Sequence, residues 1–244
     1  MKFFGIDLAW TYKNETGICI IDEHGEVEQL ESAIFSNEDI VEIIKAQSDE
    51  ALTIAIDAPL IVNNESGGRR AESELMRSRI NGHRLFAFNS SRGYLTRTFG
   101  EIRGETLIEA IKKAMPEIEV GFSWTDSNIV ETFPTGICSG LFPDMFPIRY
   151  KKKRRLSFAQ SCSEMDRLMD RFRLIEKTGE ISGLMLKLDK GDLPYTRKRH
   201  KHIEDKVDAF LCAYGMYTIH RNTSYGQSFG TVDDGFILIP VKYL

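Results

Sequence analysis

The sequence predicts an α/β protein with a mixed sheet: three antiparallel strands, then parallel strands, with helices on the faces. Three observations favour this class. Short turns join the first three apolar runs, a helix-type run separates the third strand from the fourth, and several apolar runs end on a carboxylate. Strands joined by short turns pair antiparallel, whereas a strand, a helix and a strand in succession form a right-handed crossover to a parallel neighbour.

The first three strands form a meander. We predict them at residues 2–9, at residues 16–22, and from the turn at Glu23-His24-Gly25 to about residue 35. Lys13-Asn14-Glu15 is the turn signal between the first and the second strand. Turns of this length leave no room for a crossover helix, so the three strands are expected to pair antiparallel.

A short helix and a fourth strand follow the meander. Ser36 and Asn37 offer an N-terminal cap, and Glu38 and Asp39 suit the first turn of a helix. The next apolar run, at residues 52–57, predicts the fourth strand. Because a helix lies between the third and fourth strands, the fourth is expected to join the sheet parallel to a neighbour.

The remaining elements are less regular. We predict a large insertion at about 60–126, with helices at 72–79 and 106–114, followed by a strand at 128–133. A long amphipathic helix is predicted at 157–177, an apolar helix at 199–220 and a short strand at 235–240. With no internal repeat and no low-complexity linker, residues 1–244 are expected to form one domain.

The composition sets limits on function. The 244 residues are 42% hydrophobic and 28% charged, with a formal net charge of -4, which argues against a histone-like nucleic-acid binder. The four cysteines do not have the spacing of a zinc site. No apolar stretch approaches the roughly 18 residues of a membrane span, and the N-terminus does not look like a secretory signal, so we expect a cytoplasmic location without membrane contact.

Carboxylates follow or interrupt four apolar elements. Three predicted strands end on Asp7, Asp57 and Glu131, and the last long helix carries Asp205 and Asp208 near its start. Burying a carboxylate costs several kcal/mol unless a partner compensates it, so the repetition suggests a shared cation. Each acid also has an ordinary explanation, as a turn residue, a salt-bridge partner or a first-turn helix acid.

Oxygen ligands select hard cations. We predict Asp7, Asp57, Asp205 and Asp208 as ligands of Mg²⁺ or Mn²⁺, and Glu131 as a further catalytic acid beside them. Two such ions about 3.5–4 Å apart hold both the attacking and the leaving oxygen in phosphoryl chemistry.

Basic residues cluster in three segments of this acidic chain. These are the arginines after Asp57, the run at 151–155 and the run at 197–202. A solvated loop would look the same, but together they suggest contacts with phosphates. The residues predicted to bind substrate are Arg69, Arg70, Lys152, Arg154 and Lys201.

Several motifs resemble those of the domain of unknown function 429 family, which is predicted to consist of nucleases of ribonuclease H-like fold. They are Gly5-Ile6-Asp7-Leu8-Ala9-Trp10, Ala55-Ile56-Asp57-Ala58-Pro59-Leu60, Val130-Glu131-Thr132-Phe133-Pro134, residues 204–213 and residues 234–240. The resemblance implies that Asp7 is the first-strand aspartate, Asp57 the fourth-strand acid and Asp208 the C-terminal helix acid. Glu131 matches the family's acid before proline. The insertion after Pro59 departs from a compact ribonuclease H.

Three functions remain open from the sequence. The first is a metal-dependent nuclease that hydrolyses nucleic acid by a two-metal mechanism. The second is a phosphotransferase or ATPase of the actin-like and sugar-kinase superfamily, whose first phosphate loop resembles the segment 5–8, although Ala9 and Trp10 stand where that loop has Gly and Thr. The third is a non-catalytic nucleic-acid-binding module.

Overall fold

A computed structural model describes residues 1–151, 156–188 and 195–243. Its larger sheet has six strands in the order β3-β2-β1-β4-β6-β5. They are β1 (Lys2–Asp7), β2 (Thr16–Ile21), β3 (Val27–Ala33), β4 (Leu52–Ile56), β5 (Glu119–Val120) and β6 (Asn128–Glu131). β1, β2 and β3 pair antiparallel, whereas β4 pairs parallel with both β1 and β6, and β5 parallel with β6. The predicted mixed α/β sheet is confirmed.

Helices connect and cover these strands. They are α1 (Asn37–Lys45), α2 (Arg70–Arg77), α3 (Arg92–Phe99), α4 (Arg103–Ala114), α5 (Pro134–Leu141), α6 (Phe158–Lys177), α7 (Leu184–Lys187) and α8 (Arg197–His220). A hairpin of β7 (Ser224–Thr231) and β8 (Gly235–Lys242) forms a second sheet. Within the ranges that the structure describes, no helix combines the length and the apolar character that crossing a membrane requires.

Five elements, α3, α5, α7, β5 and β7, were not predicted from the sequence, and two of them show why. α3 contains a glycine and two threonines within eight residues, which is a weak helix signal, and it is held by Leu95 packing with Val62 and Ile102. β7 contains Gly226 and Gly230 and many polar residues, so its pairing with β8 rather than its own propensity makes it a strand.

α8 packs directly on the strands that lead to the acids. A Cβ atom at Gly5 of β1 would lie 1.9 Å from the Ala209 carbonyl oxygen, and one at Gly17 of β2 would lie 2.1 Å from the Asp205 carbonyl oxygen. Glycine at both positions therefore lets the helix backbone approach the sheet far more closely than side chains allow. This close approach brings the acids near the start of α8 to the end of β1.

The other face of the sheet is covered by α1 and α4. Leu107 and Ile111 of α4 share one apolar cluster with Ile40 and Ile44 of α1 and with Ile54 of β4. α4 and β5 lie within the segment predicted as an insertion, yet both are integral to the central layers. The α2 part of that segment packs instead against the β7–β8 hairpin.

Candidate metal centre

Three aspartates converge at one edge of the sheet. Asp7 ends β1 and Asp57 directly follows β4, and because these strands are parallel neighbours their carboxyl ends lie side by side. The Asp57 amide donates to the Ile6 carbonyl oxygen at 2.8 Å, which fixes the two acids together. Asp208 comes from α8, and the three side chains offer oxygen atoms within 4.8 Å of one another. The predicted convergence is confirmed.

The charged states of Asp7 and Asp57 are disfavoured. Burial raises the pKa of Asp7 well above its ordinary value, and the charges of Asp208 and Asp57 raise it further. Burial likewise raises the pKa of Asp57 to about 7, with Lys151 opposing the shift and Asp208 reinforcing it. Carboxylates this close cannot all ionise without a compensating cation.

Lys151 supplies part of that compensation. Its Nζ atom lies 2.7 Å from Asp208 Oδ2, while the hydroxyl of Tyr150 donates to Asp208 Oδ1 at 2.5 Å. Burial would lower the pKa of Lys151, but Asp208, Asp57 and Asp7 together raise it well above its ordinary value. The sequence suggested that this lysine contacts phosphates from a surface run, whereas the structure directs it inward onto the aspartates.

The donor set fits a hard divalent cation. Asp7, Asp57 and Asp208 provide only carboxylate oxygens, which Mg²⁺ and Mn²⁺ prefer. Lys151 offsets the crowded carboxylates only in part, because burial and the neighbouring carboxylates still raise the pKa values of Asp7 and Asp57 beside it. A divalent cation bound by these oxygens would favour their charged form further.

Asp205, the fourth predicted ligand, lies beside the cluster. Among the described residues, Asp205 does not belong to the group of three carboxylates whose oxygen atoms lie within 4.8 Å of one another. Its Oδ1 atom lies 2.5 Å from the Nζ atom of Lys201, and it shares a hydrogen bond with Asp7. Burial raises the pKa of Asp205 and Lys201 opposes that rise. Asp205 is thus connected to the cluster through Asp7.

Glu131 and Arg69 form a separate buried pair. Arg69 NH1 donates to Glu131 Oε2 at 2.8 Å, and a second hydrogen bond joins Arg69 NH2 to Glu131 Oε1. The Arg69 Nε atom donates to Glu72 at 2.9 Å, and the Leu60 amide donates to Glu131 at 3.0 Å. The sequence predicted Arg69 as a phosphate contact, but its guanidinium is buried and holds these two glutamates in place.

The other predicted substrate contacts have mixed positions. Arg70 is exposed and pairs with Glu74 at 2.6 Å. Lys201 faces the aspartates, and it contacts Glu204 at 3.1 Å in addition to Asp205. Lys152 and Arg154 lie outside the described residues.

Asp7 and Asp57 open onto a cleft of about 660 Å³, whereas Asp208 is buried. Acidic, basic and aromatic side chains share its surface. They include Asp7, Asp57, Asp205, Glu131, Lys13, Lys198, Lys201, His202, Trp10 and Phe88. His202 is held by Glu15 at 2.7 Å, whereas His200, two residues earlier, is buried against the Tyr150 carbonyl oxygen.

The family model described as "Protein of unknown function (DUF429)" matches residues 5–227, more than half of the chain. The chain belongs to the DUF429 family. The matched region contains the three converging aspartates as well as Glu131 and Arg69, so the candidate centre lies wholly within the DUF429 part. Among curated proteins and among solved structures, nothing matches the chain.

In this DUF429 protein, Lys151→Met is expected to lower the free energy of unfolding by about 1–3 kcal/mol without metal, because the buried Asp208 loses a charged partner. Mn²⁺ is expected to restore much of that loss, since a cation at the aspartates replaces the missing charge. Thermal unfolding in EDTA and in Mn²⁺ measures both effects. Lys13→Met, from the same cleft, is the control; equal losses in the two variants would contradict this role of Lys151.

Proposed function

We propose that this DUF429 protein is a metal-dependent nuclease of ribonuclease H-like fold that hydrolyses phosphodiester bonds. The observation that carries the proposal is the convergence of Asp7, Asp57 and Asp208 at one edge of the sheet. The strand order supports the fold assignment, because three antiparallel strands followed by parallel ones is the arrangement that the family resemblance implies.

Asp7, Asp57 and Asp208 would hold Mg²⁺ or Mn²⁺. Such an ion stabilises the charge that develops on phosphate oxygens and lowers the pKa of water enough for it to act as a nucleophile near neutral pH. Tyr150 and Lys151 each contact one oxygen of the Asp208 carboxylate and so orient it. No side chain of the protein is needed as a covalent nucleophile in this scheme.

Basic residues at the cleft suit a polyanionic substrate. Lys13, Lys198, Lys201 and His202 contribute to its surface, on the same side as the aspartates. Positive side chains attract the phosphate backbone in a sequence-independent and salt-dependent manner. They also offset the repulsion that the carboxylates exert on an approaching phosphate.

The phosphotransferase hypothesis receives less support. Trp10 lines the cleft only three residues after Asp7, and its bulk stands where a phosphate loop needs a small residue for backbone approach. The binding-module hypothesis leaves unexplained why three aspartates meet at one point, since the crowding disfavours the charges of Asp7 and Asp57 and so costs stability.

A cleavage assay tests the proposal. Wild-type protein is incubated with Mn²⁺ or Mg²⁺ and with single-stranded, duplex and hybrid oligonucleotides, and ATP hydrolysis is followed in parallel. We expect metal-dependent cleavage that is absent in EDTA and in Asp7→Asn, and retained in Asp49→Asn, a control at an exposed acid. ATP turnover without strand cleavage would favour the phosphotransferase, and inactivity in both assays would refute the nuclease.

A further inference from the structure

Four aromatic rings form a cluster beside the aspartates, defined here as Trp10, Phe88, Tyr94 and Phe99. Trp10 stacks on Phe99 with ring centroids 5.0 Å apart and meets Phe88 edge-on at 5.7 Å. Tyr94 contacts Phe88 at 5.5 Å and Phe99 at 6.4 Å. Three of the rings come from the segment between β4 and β6, so that segment and the end of β1 build the cluster together.

The cluster is exposed although it is well packed within itself. Trp10 and Tyr94 each keep 39% of their surface exposed, and Phe88 keeps 50%. Large aromatic groups left in water in this way mark binding surfaces more often than isolated apolar residues do. Because neighbouring rings hold each other in place, a ligand would lose little side-chain entropy on binding to them.

The aromatic cluster and the aspartates share one cleft. Trp10 and Phe88 line the same space as Asp7 and Asp57, and Lys198 and Lys201 line it too. Aromatic rings beside basic side chains are the combination by which proteins bind single-stranded nucleic acid, since bases stack on the rings while cations meet the phosphates.

The geometry also favours an unpaired strand over a duplex. Base faces are covered by neighbouring base pairs within a duplex, so an aromatic ring can stack only on a base that is unpaired or splayed out. The cleft volume of about 660 Å³ falls in the roughly 300–1,000 Å³ range of small-ligand pockets, which suits a nucleotide unit of a strand.

We propose that this cleft binds an unpaired nucleic-acid strand, with a base stacked against Trp10 and Phe88 and the adjoining phosphate directed towards Asp7 and Asp57. The direction of the phosphate rests on the proposed nuclease function. The stacking of the base rests on the aromatic cluster and can be tested without any cleavage.

Tryptophan fluorescence gives a direct readout of stacking. The chain has two tryptophans, and Trp124 packs against Phe122 and His220 at the end of α8 remote from the aspartates. Trp124→Phe therefore leaves Trp10 as the only tryptophan reporter. With Ca²⁺ in place of Mg²⁺ or Mn²⁺, a single-stranded pentanucleotide is expected to quench this emission, whereas a blunt duplex of the same sequence is not. In the complementary Trp10→Phe protein, neither ligand should quench the emission of Trp124.

Substitutions then measure the contribution of stacking. Trp10→Ala and Phe88→Ala are each expected to weaken binding of a fluorescein-labelled pentanucleotide by roughly 5- to 140-fold in fluorescence anisotropy, the range that base–aromatic stacking spans. Phe86→Ala is the matched control, because Phe86 is 79% exposed and is not among the residues that line the cleft. Phe88→Ala keeps the test valid if Trp10→Ala does not fold.

The outcomes separate this inference from the nuclease proposal. Quenching by the single strand and weaker binding in Phe88→Ala support the inference even if no substrate is cleaved. Cleavage of a small diester such as bis(p-nitrophenyl) phosphate without strand quenching would retain the nuclease and overturn the inference. Equal binding of strand and duplex, equal losses in Phe86→Ala and Phe88→Ala, or equal quenching by a mononucleotide would also overturn it.

Discussion

Replacing Asp57 with asparagine is expected to abolish metal-dependent turnover and yet to stabilise the metal-free protein. Removing one carboxylate from the three should weaken the bound ion, with a loss of turnover of roughly 100-fold or more. Without metal, the same change removes a charge that burial, Asp208 and Glu131 disfavour more strongly than Lys151 favours it. Cleavage rates and thermal unfolding of one preparation report the two effects separately.

The stabilisation should depend on pH in a defined direction. The pKa of Asp57 is about 7 in the folded protein, against an ordinary value of 3.8, so between these values the folded state binds more protons than the unfolded state. The free energy of unfolding of the wild type therefore falls as the pH rises from about 4 to about 7 and levels off above that. The full difference corresponds to roughly 4 kcal/mol, less whatever solvent in the cleft screens.

Asp57→Asn has no ionisable group at this position. The difference in free energy of unfolding between the variant and the wild type should therefore grow from pH 4 to pH 7 in EDTA and stay constant above pH 7. In Mn²⁺ the order should reverse, because the wild type gains the binding free energy of the ion. Asp49→Asn, an exposed acid in the turn before β4, should behave like the wild type throughout. A metal-free Asp57→Asn protein that is less stable than the wild type at pH 8 would contradict this account.

Arg69→Ala is expected to lower the free energy of unfolding by about 3–5 kcal/mol. The substitution leaves the buried carboxylates of Glu131 and Glu72 without their shared guanidinium. An unpaired buried charge is far more costly than a lost surface ion pair, and the loop that Glu131 holds through the Leu60 amide should loosen as well. Urea unfolding at neutral pH measures the loss.

The neighbouring arginine is the matched control for this prediction. Arg70 also pairs with a glutamate, but its side chain is 62% exposed, so Arg70→Ala should cost no more than about 1 kcal/mol. An Arg69→Ala protein that keeps its stability but binds oligonucleotides weakly would instead restore the substrate contact predicted from the sequence. Comparable losses of stability in both variants would refute the distinction between the two ion pairs.

Local sequence patterns were sufficient for the strand core and for the three aspartates. Apolar runs of strand length that end on Asp7 and Asp57 predict parallel neighbours whose acids meet, because carboxyl ends of parallel strands share one edge. The position of Asp208 follows from a helix that is apolar almost all round and must pack on the sheet. These inferences need only periodicity and burial, which neighbouring residues determine.

Elements with weak local sequence signals take their secondary structure from the elements that they pack against. β7 is a strand because β8 lies beside it, and α3 is a helix because Leu95 has an apolar site to fill. The sequence pattern assigns α4 to an insertion, although its apolar residues complete the layer that covers β4. No property of these segments alone distinguishes a core element from an added one.

The sequence by itself determined the α/β class, the family and the three aspartates that meet, although it also placed Asp205 and Glu131 among them. Only the tertiary structure decided which basic side chains pair with the buried acids. Lys151 belongs to a run of basic residues and Arg69 to an Arg-Arg pair, yet Lys151 contacts Asp208, and Arg69 rather than Arg70 contacts Glu131. The reason is that such a pairing joins residues 57 or 62 positions apart, whose mutual approach depends on the packing of the whole sheet rather than on any local pattern.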